Sequence, residues 1–133
     1  MAQTSTGPVS ILIFAKRKED LTKEQFDEYW RGPHAEKFMS FDIVKKHCIR
    51  YEQYHDDPTT RADAESAVGL PQSGWDGVAF LTFDSAEGAK AVFSDPDFQA
   101  FAASDEPRFC AGPGISQRMM LVGKPEVIHT KGN

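Results

Sequence analysis

Apolar residues fall along this chain in two rhythms, one with the period of a strand and one with that of a helix. Val9 to Arg17 is a short run rich in β-branched and aromatic residues, apolar on both faces, which predicts a strand inside a covered sheet. Lys16, Arg17 and Lys18 mark its exit to solvent. A full set of helix-start signals follows. Thr22 can cap, Gln25 three residues on closes a capping box, and Leu21 and Phe26 can staple across the cap. Phe26, Tyr29, Trp30 and Pro33 then recur as one inward stripe. Gly32-Pro33 interrupts it, because the residue before a proline avoids the helical region, so an end or kink is expected at Arg31–Gly32. Proline suits the first turn of a helix, so Pro33 is expected to start a second piece reaching about Lys45, with Ala35, Phe38, Met39 and Ile43 apolar.

Cys48 to His55 alternates as a strand, with Ile49, Tyr51 and Gln53 on one side and Arg50, Glu52 and Tyr54 on the other. Asp56-Asp57-Pro58 ends it. Thr59 to Gly74 is small and polar, holds Gly69 and Pro71, and reads as a long loop of the kind used for a lid or a dimer arm. Trp75 to Phe83 holds a third strand. Asp84 and Glu87 offer a capping box for a helix carrying Ala89, Val92 and Phe93. Asp95-Pro96 caps another, carrying Phe98, Phe101 and Ala102 and ended by Pro107. Gly112-Pro113-Gly114 is a turn, Ser116 to Val122 a last strand, and Gly123 to Asn133 a tail.

Strand, helix, strand, strand, helix, strand is the order of an α+β, ferredoxin-like fold, with four antiparallel strands and helices over one face. No repeat or linker divides the 133 residues, so a single domain is expected, with its core between about residues 8 and 124. The sheet face away from the helices is expected to be apolar, through Tyr51, Phe80 or Phe83, and Met119 or Met120. A face of that kind calls for a partner. Two copies face to face would enclose an apolar cavity suited to a small ligand.

Composition narrows the classes. Hydrophobic residues make up 40% and charged residues 26%, an ordinary globular balance. The net charge is -5 with no basic stripe, so nucleic acid is not an expected partner. The longest apolar run, Ile11 to Ala15, is far too short to cross a bilayer, and the first residues do not read as a signal peptide, so a cytoplasmic protein is expected, with no membrane partner. Cys48 and Cys110 lack metal or redox spacing and are expected as reduced thiols.

The stretch from Leu21 to His34 resembles the start of an EthD domain. It carries Thr22 as cap, the Gln25-Phe26 pair, the Tyr29-Trp30 pair, and His34 four residues past the tryptophan. Trp75-Asp76-Gly77-Val78-Ala79 is similar to that family's third strand, and the resemblance spans roughly residues 8 to 124. It implies a dimeric α+β barrel with a ligand pocket between helix and sheet. Relatives of this fold include muconolactone isomerases, polyketide cyclases and monooxygenases without a bound cofactor. Several fungal members resemble decarboxylases or cyclases of aromatic polyketides. In isomerases of the fold, the histidine matching His34 serves in proton transfer.

His34 is the leading catalytic candidate. On a continuous helix it falls on the inward stripe. At the start of a restarted one it sits at the positive pole, which favours a neutral ring able to act as a base. Asp76 could orient it, and Tyr51 could donate a phenolic hydrogen bond. Tyr29, Trp30, Ile13, Phe80, Phe83 and Met120 are the expected substrate contacts. His47, His55 and His129 do not complete a metal motif with His34, and no phosphate loop, nucleophile elbow or dinucleotide fingerprint occurs. No metal or cofactor is expected. The function expected is a cofactor-independent decarboxylase or cyclase on an aromatic polyketide-type acid, working as a homodimer. An isomerase or cofactor-free monooxygenase of the same fold, or a non-catalytic ligand-binding or stress-response dimer, are the alternatives.

Overall fold

A computed structural model describes residues 7–69, 71, 73–111 and 119–132, with the side chains of Met119 and Met120 outside the description. Four strands form one antiparallel sheet in the order β2-β3-β1-β4. They are β1 (Val9–Ala15), β2 (Cys48–His55), β3 (Gly77–Phe83) and β4 (Met119–Gly123). This is the expected ferredoxin-like α+β arrangement. β1 and β3 are the inner strands, which is why both are apolar on two faces.

The helices are α1 (Lys23–Tyr29), α2 (Ala35–Phe38), α3 (Asp42–His47), α4 (Pro58–Val68), α5 (Ala86–Ser94) and α6 (Pro96–Asp105). Thr22 caps α1 through the expected box with Gln25. Asp95 caps α6, accepting from the Phe98 N–H at 2.9 Å, with Pro96 in the first turn. Val9, Ile11, Leu81 and Phe83 of the sheet meet Val44, Val92, Phe98 and Phe101 of the helices in the main core. A second cluster holds Ala15, Phe26, Trp30 and Phe109.

Several expectations need correction. The helix does not stop at Gly32 and restart at Pro33. The backbone runs from α1 into α2 through a wide π turn, Trp30–His34, which accommodates the proline ring without a break. His34 therefore occupies no first turn, and the argument from a helix N-terminus does not apply to it. The actual interruption comes later, at Met39–Phe41. Against the loop expected over Thr59 to Gly74, α4 occupies Pro58–Val68, capped by Asp57, which accepts from the Thr59 and Thr60 N–H groups. It buries no residue, so it has no apolar stripe to announce it. Ser85, not Asp84, caps α5, while Asp84 faces His47 Nδ1 at 3.1 Å. β1 ends at Ala15 and β3 begins at Gly77. The described part of the last strand is Met119–Gly123, and the Gly112-Pro113-Gly114 turn lies outside the described residues.

The two sheet faces also sort differently from expectation. Tyr51 and Phe83 point to the helices, and Phe83 is fully buried. Leu12, Phe14, Val78, Phe80 and Tyr54 occupy the opposite, open face, where Phe80 and Tyr54 rings meet at 6.4 Å. A register shift between Cys48 and Arg50 leaves Ile49 exposed instead of beside Tyr51.

Candidate functional site

A cavity of about 840 Å³ lies between helices and sheet within one chain. Its floor is Ile11, Ile13, Ala79 and Leu81 from the helix side of β1 and β3, with Tyr51 from β2. Trp30, His34, Phe38 and Phe101 close it from the helices, with Phe109 and Cys110 at one end. The lining is predominantly apolar and aromatic, the usual makeup of a small-molecule pocket.

His34 is held in this wall by geometry that α1, the π turn and α6 produce together. The residue is 7% exposed. Its ring stacks on Phe101 at 5.5 Å and meets Phe109 at 4.7 Å and Phe38 at 6.0 Å. Its Nδ1 lies 2.6 Å from Asp105 Oδ2. The other carboxylate oxygen accepts from the Tyr29 hydroxyl at 2.5 Å, and Arg108 approaches it at 4.0 Å. Asp105 is the last residue of α6, and the hydrogen bonds with His34 and Tyr29 engage both of its carboxylate oxygens. Burial, reinforced by the bond to Asp105, pushes the Tyr29 hydroxyl above its usual range, so it stays a donor. Asp105 as acceptor places the His34 proton on Nδ1, and a neutral ring then carries its lone pair on Nε2. The trio has the parts of an oriented general base: a ring that exchanges protons and a carboxylate that holds it in one tautomer.

Tyr51 adds a second polar group to the wall on the sheet side, and Lys90, Gln99 and Glu106 also line the cavity. Burial pushes its hydroxyl up to about 12, so it remains a phenol at any working pH. Its ring packs on Phe38 at 5.0 Å.

Of the residues singled out from the sequence, His34, Tyr51, Trp30 and Ile13 line the cavity. Tyr29 stands behind His34 as a hydrogen-bond donor to Asp105. Phe83 lies in the core, and Phe80 is on the far side of the sheet. Met120 pairs with Ile13 in the β1–β4 register, but its side chain lies outside the description. Asp76 does not reach His34. It accepts from the Arg17 backbone N–H at 2.7 Å and pins the end of β1 to the start of β3. Asp105 takes the part expected of Asp76. Its signal was present: Phe98, Phe101 and Asp105 share one face of a helix, so an acid stands on an apolar stripe. Among the described residues, no three His, Cys, Asp or Glu side chains converge on a metal-sized site, and no helix is long and apolar enough to cross a membrane.

Comparison with known proteins agrees with this architecture. A DABB family protein with a ferredoxin-like fold from Mesorhizobium loti superposes with a TM-score of 0.62 at 8% identity, covering 91% of this chain and 99% of that one. A hydroxynitrile lyase from Passiflora edulis gives 0.60 at 17% identity, covering 93% and 99%. A dimeric protein of unknown function and ferredoxin-like fold from Bacteroides fragilis gives 0.53 at 13% identity, covering 90% and 98%. At these identities the likeness establishes the fold. No curated protein matches the sequence significantly. The model of the EthD domain matches residues 18–113, most of the chain, and the protein belongs to the EthD domain family.

Proposed function

We propose that this chain is a cofactor-independent lyase or cyclase acting on an aromatic, polyketide-type acid, with His34 as the proton-transferring residue. The observation that carries the reading is the His34–Asp105–Tyr29 trio in the wall of a large aromatic-lined cavity. For decarboxylation, Nε2 of His34 takes the proton of the substrate's carboxyl group. The carboxylate then leaves as carbon dioxide. The electron pair left on carbon spreads into a neighbouring carbonyl, and His34 returns the same proton to that carbon. An apolar site favours loss of the charged carboxylate, and Asp105 holds the transient imidazolium. Ring closure would use the same group first as a base, removing a proton beside a carbonyl. A lyase from Passiflora edulis shares the fold, which is compatible with lyase chemistry here.

We further propose a homodimer, with a second copy covering the sheet face of half-buried Leu12, Phe14 and Phe80 and exposed Tyr54 and Leu121, because apolar surface left in water is costly. A dimeric neighbour of the same fold supports this.

The test is incubation with an anthrone carboxylic acid, following carbon dioxide release and the decarboxylated anthrone. Turnover by the native chain, lost in His34→Ala, is expected. Undiminished turnover in His34→Ala would remove the reading.

A further inference from the structure

A chain of hydrogen bonds that the His34 chemistry leaves unused runs along one face of β2 to the cavity. Tyr51, Gln53 and His55 alternate along that strand and all face the helices. Gln53 Nε2 donates to the Trp30 carbonyl at 2.9 Å and to the Tyr51 hydroxyl oxygen at 2.8 Å. Gln53 Oε1 meets His55 Nε2 at 2.8 Å, and His55 Nδ1 meets Asp27 Oδ1 at 2.7 Å. Asp27 is tied in turn to Lys23 at 2.5 Å. The His55 ring also packs on Trp30 at 4.5 Å.

The direction of each bond follows from donor and acceptor chemistry. A backbone carbonyl only accepts, so the Gln53 amino group must face Trp30 and the amide oxygen must face His55. Both amino hydrogens are then engaged, one on Trp30 and one on Tyr51. The Tyr51 oxygen is thus an acceptor within the chain, and its own hydrogen is left for another group. Among the described residues none takes it, and Tyr51 lines the cavity.

We propose that Gln53, held by His55 and Asp27, is a positioning residue that commits Tyr51 to donate its hydroxyl hydrogen to a carbonyl or carboxylate oxygen of the bound molecule. Phe38 lies between Tyr51 and His34, 5.0 Å from the Tyr51 ring and 6.0 Å from that of His34. A flat aromatic ligand over Phe38 is then gripped by its oxygen at Tyr51 and presented to His34. The inference shares with the proposed function only the use of this cavity as the ligand site.

The test needs no turnover. 2-Acetonaphthone is a flat aromatic ketone, and 2-isopropylnaphthalene has nearly its shape without the oxygen. On the intact protein the bound ketone's infrared carbonyl band is expected at the lowered frequency of a hydrogen-bonded carbonyl, and Tyr51→Phe returns it to the unbonded position. Gln53→Met is expected to shift the band in the same sense and to weaken the ketone Kd about tenfold. Gln53→Glu should do likewise, since the hydroxyl would then donate to the new carboxylate. The Tyr51→Phe/Gln53→Met double variant should bind no more weakly than either single one. The hydrocarbon's Kd should change less than about twofold, reporting an intact cavity. A band unmoved by Gln53→Met, equal weakening of both probes, or a ketone that does not bind would overturn the proposal. A shifted band beside an anthrone acid that is not turned over would sink the proposed function and leave this inference standing.

Discussion

His34 and Asp105 are 71 positions apart in the chain, and their side chains meet at 2.6 Å. An aspartate in this place does two things that an amide does not: it fixes the ring tautomer and balances an imidazolium. Asp105→Asn keeps the size and is expected to lower kcat on the anthrone acid about 100-fold, with His34→Ala losing at least as much. The double variant should be no slower than His34→Ala alone, because the two act as a unit. Steady-state kinetics of the three variants checks this, and additive losses would separate the pair.

Asp27 should make stability depend on acid. Burial pushes its carboxyl up, but hydrogen bonds from Lys23 and His55 outweigh burial and hold it below the ordinary 3.8. The folded value is lower than the unfolded one, so the stabilisation is present above 3.8 and fades as pH falls through the folded value. Asp27→Asn is expected to cost about 1 kcal/mol near neutrality. The gap should narrow below 3.8, as urea midpoints measured at both pH values will report.

Gly77 starts β3 under the Trp30 ring. A Cβ there would sit 2.7 Å from an indole carbon and 2.8 Å from the Tyr54 carbonyl oxygen, the latter on a backbone that cannot swing away. Gly77→Ala is expected to destabilise by about 1–3 kcal/mol. Because Trp30 also walls the cavity, ligand affinity should fall with it. Chemical unfolding and ketone titration measure the two effects.

The open sheet face gives a prediction about assembly. Phe80→Glu places a second carboxylate beside Glu52, on the sheet face that the proposed second copy covers. Sedimentation should find two chains together in the native protein and one in the variant. A native protein that sediments as one chain would refute the dimer.

The strands were legible because β1 and β3 are apolar in short β-branched runs, and the start of α1 because Thr22, Gln25 and Phe26 carry its cap in their own identities. α4 was not, since a helix that buries nothing leaves no periodic trace. His34 stood out by its spacing from Phe26 and Trp30, whereas its partner did not. Asp105 reaches it only through the packing of α6 across the sheet, and Asp76, the nearer guess, is taken up by the Arg17 backbone. Of the polar branch that ends at Tyr51, Gln53, His55 and Asp27 were hidden for a similar reason. Gln53 and His55 look like ordinary surface residues until β2 turns that face inward against Asp27 of α1.

The π turn at Trp30–His34 has a consequence for the spacing of the wall. The wide turn takes up one residue more than a regular helix would, so the helix keeps its phase on either side of it. A chain one residue shorter here would close as a regular helix, and the side chains moved would be those within the turn. His34 is its last residue, so the imidazole is among the groups carried away from the acid, although no neighbour had changed. Where this ring stands is therefore set by a count of peptide units, and an insertion or deletion in that one turn would be felt more at the reacting end than most side-chain replacements around it.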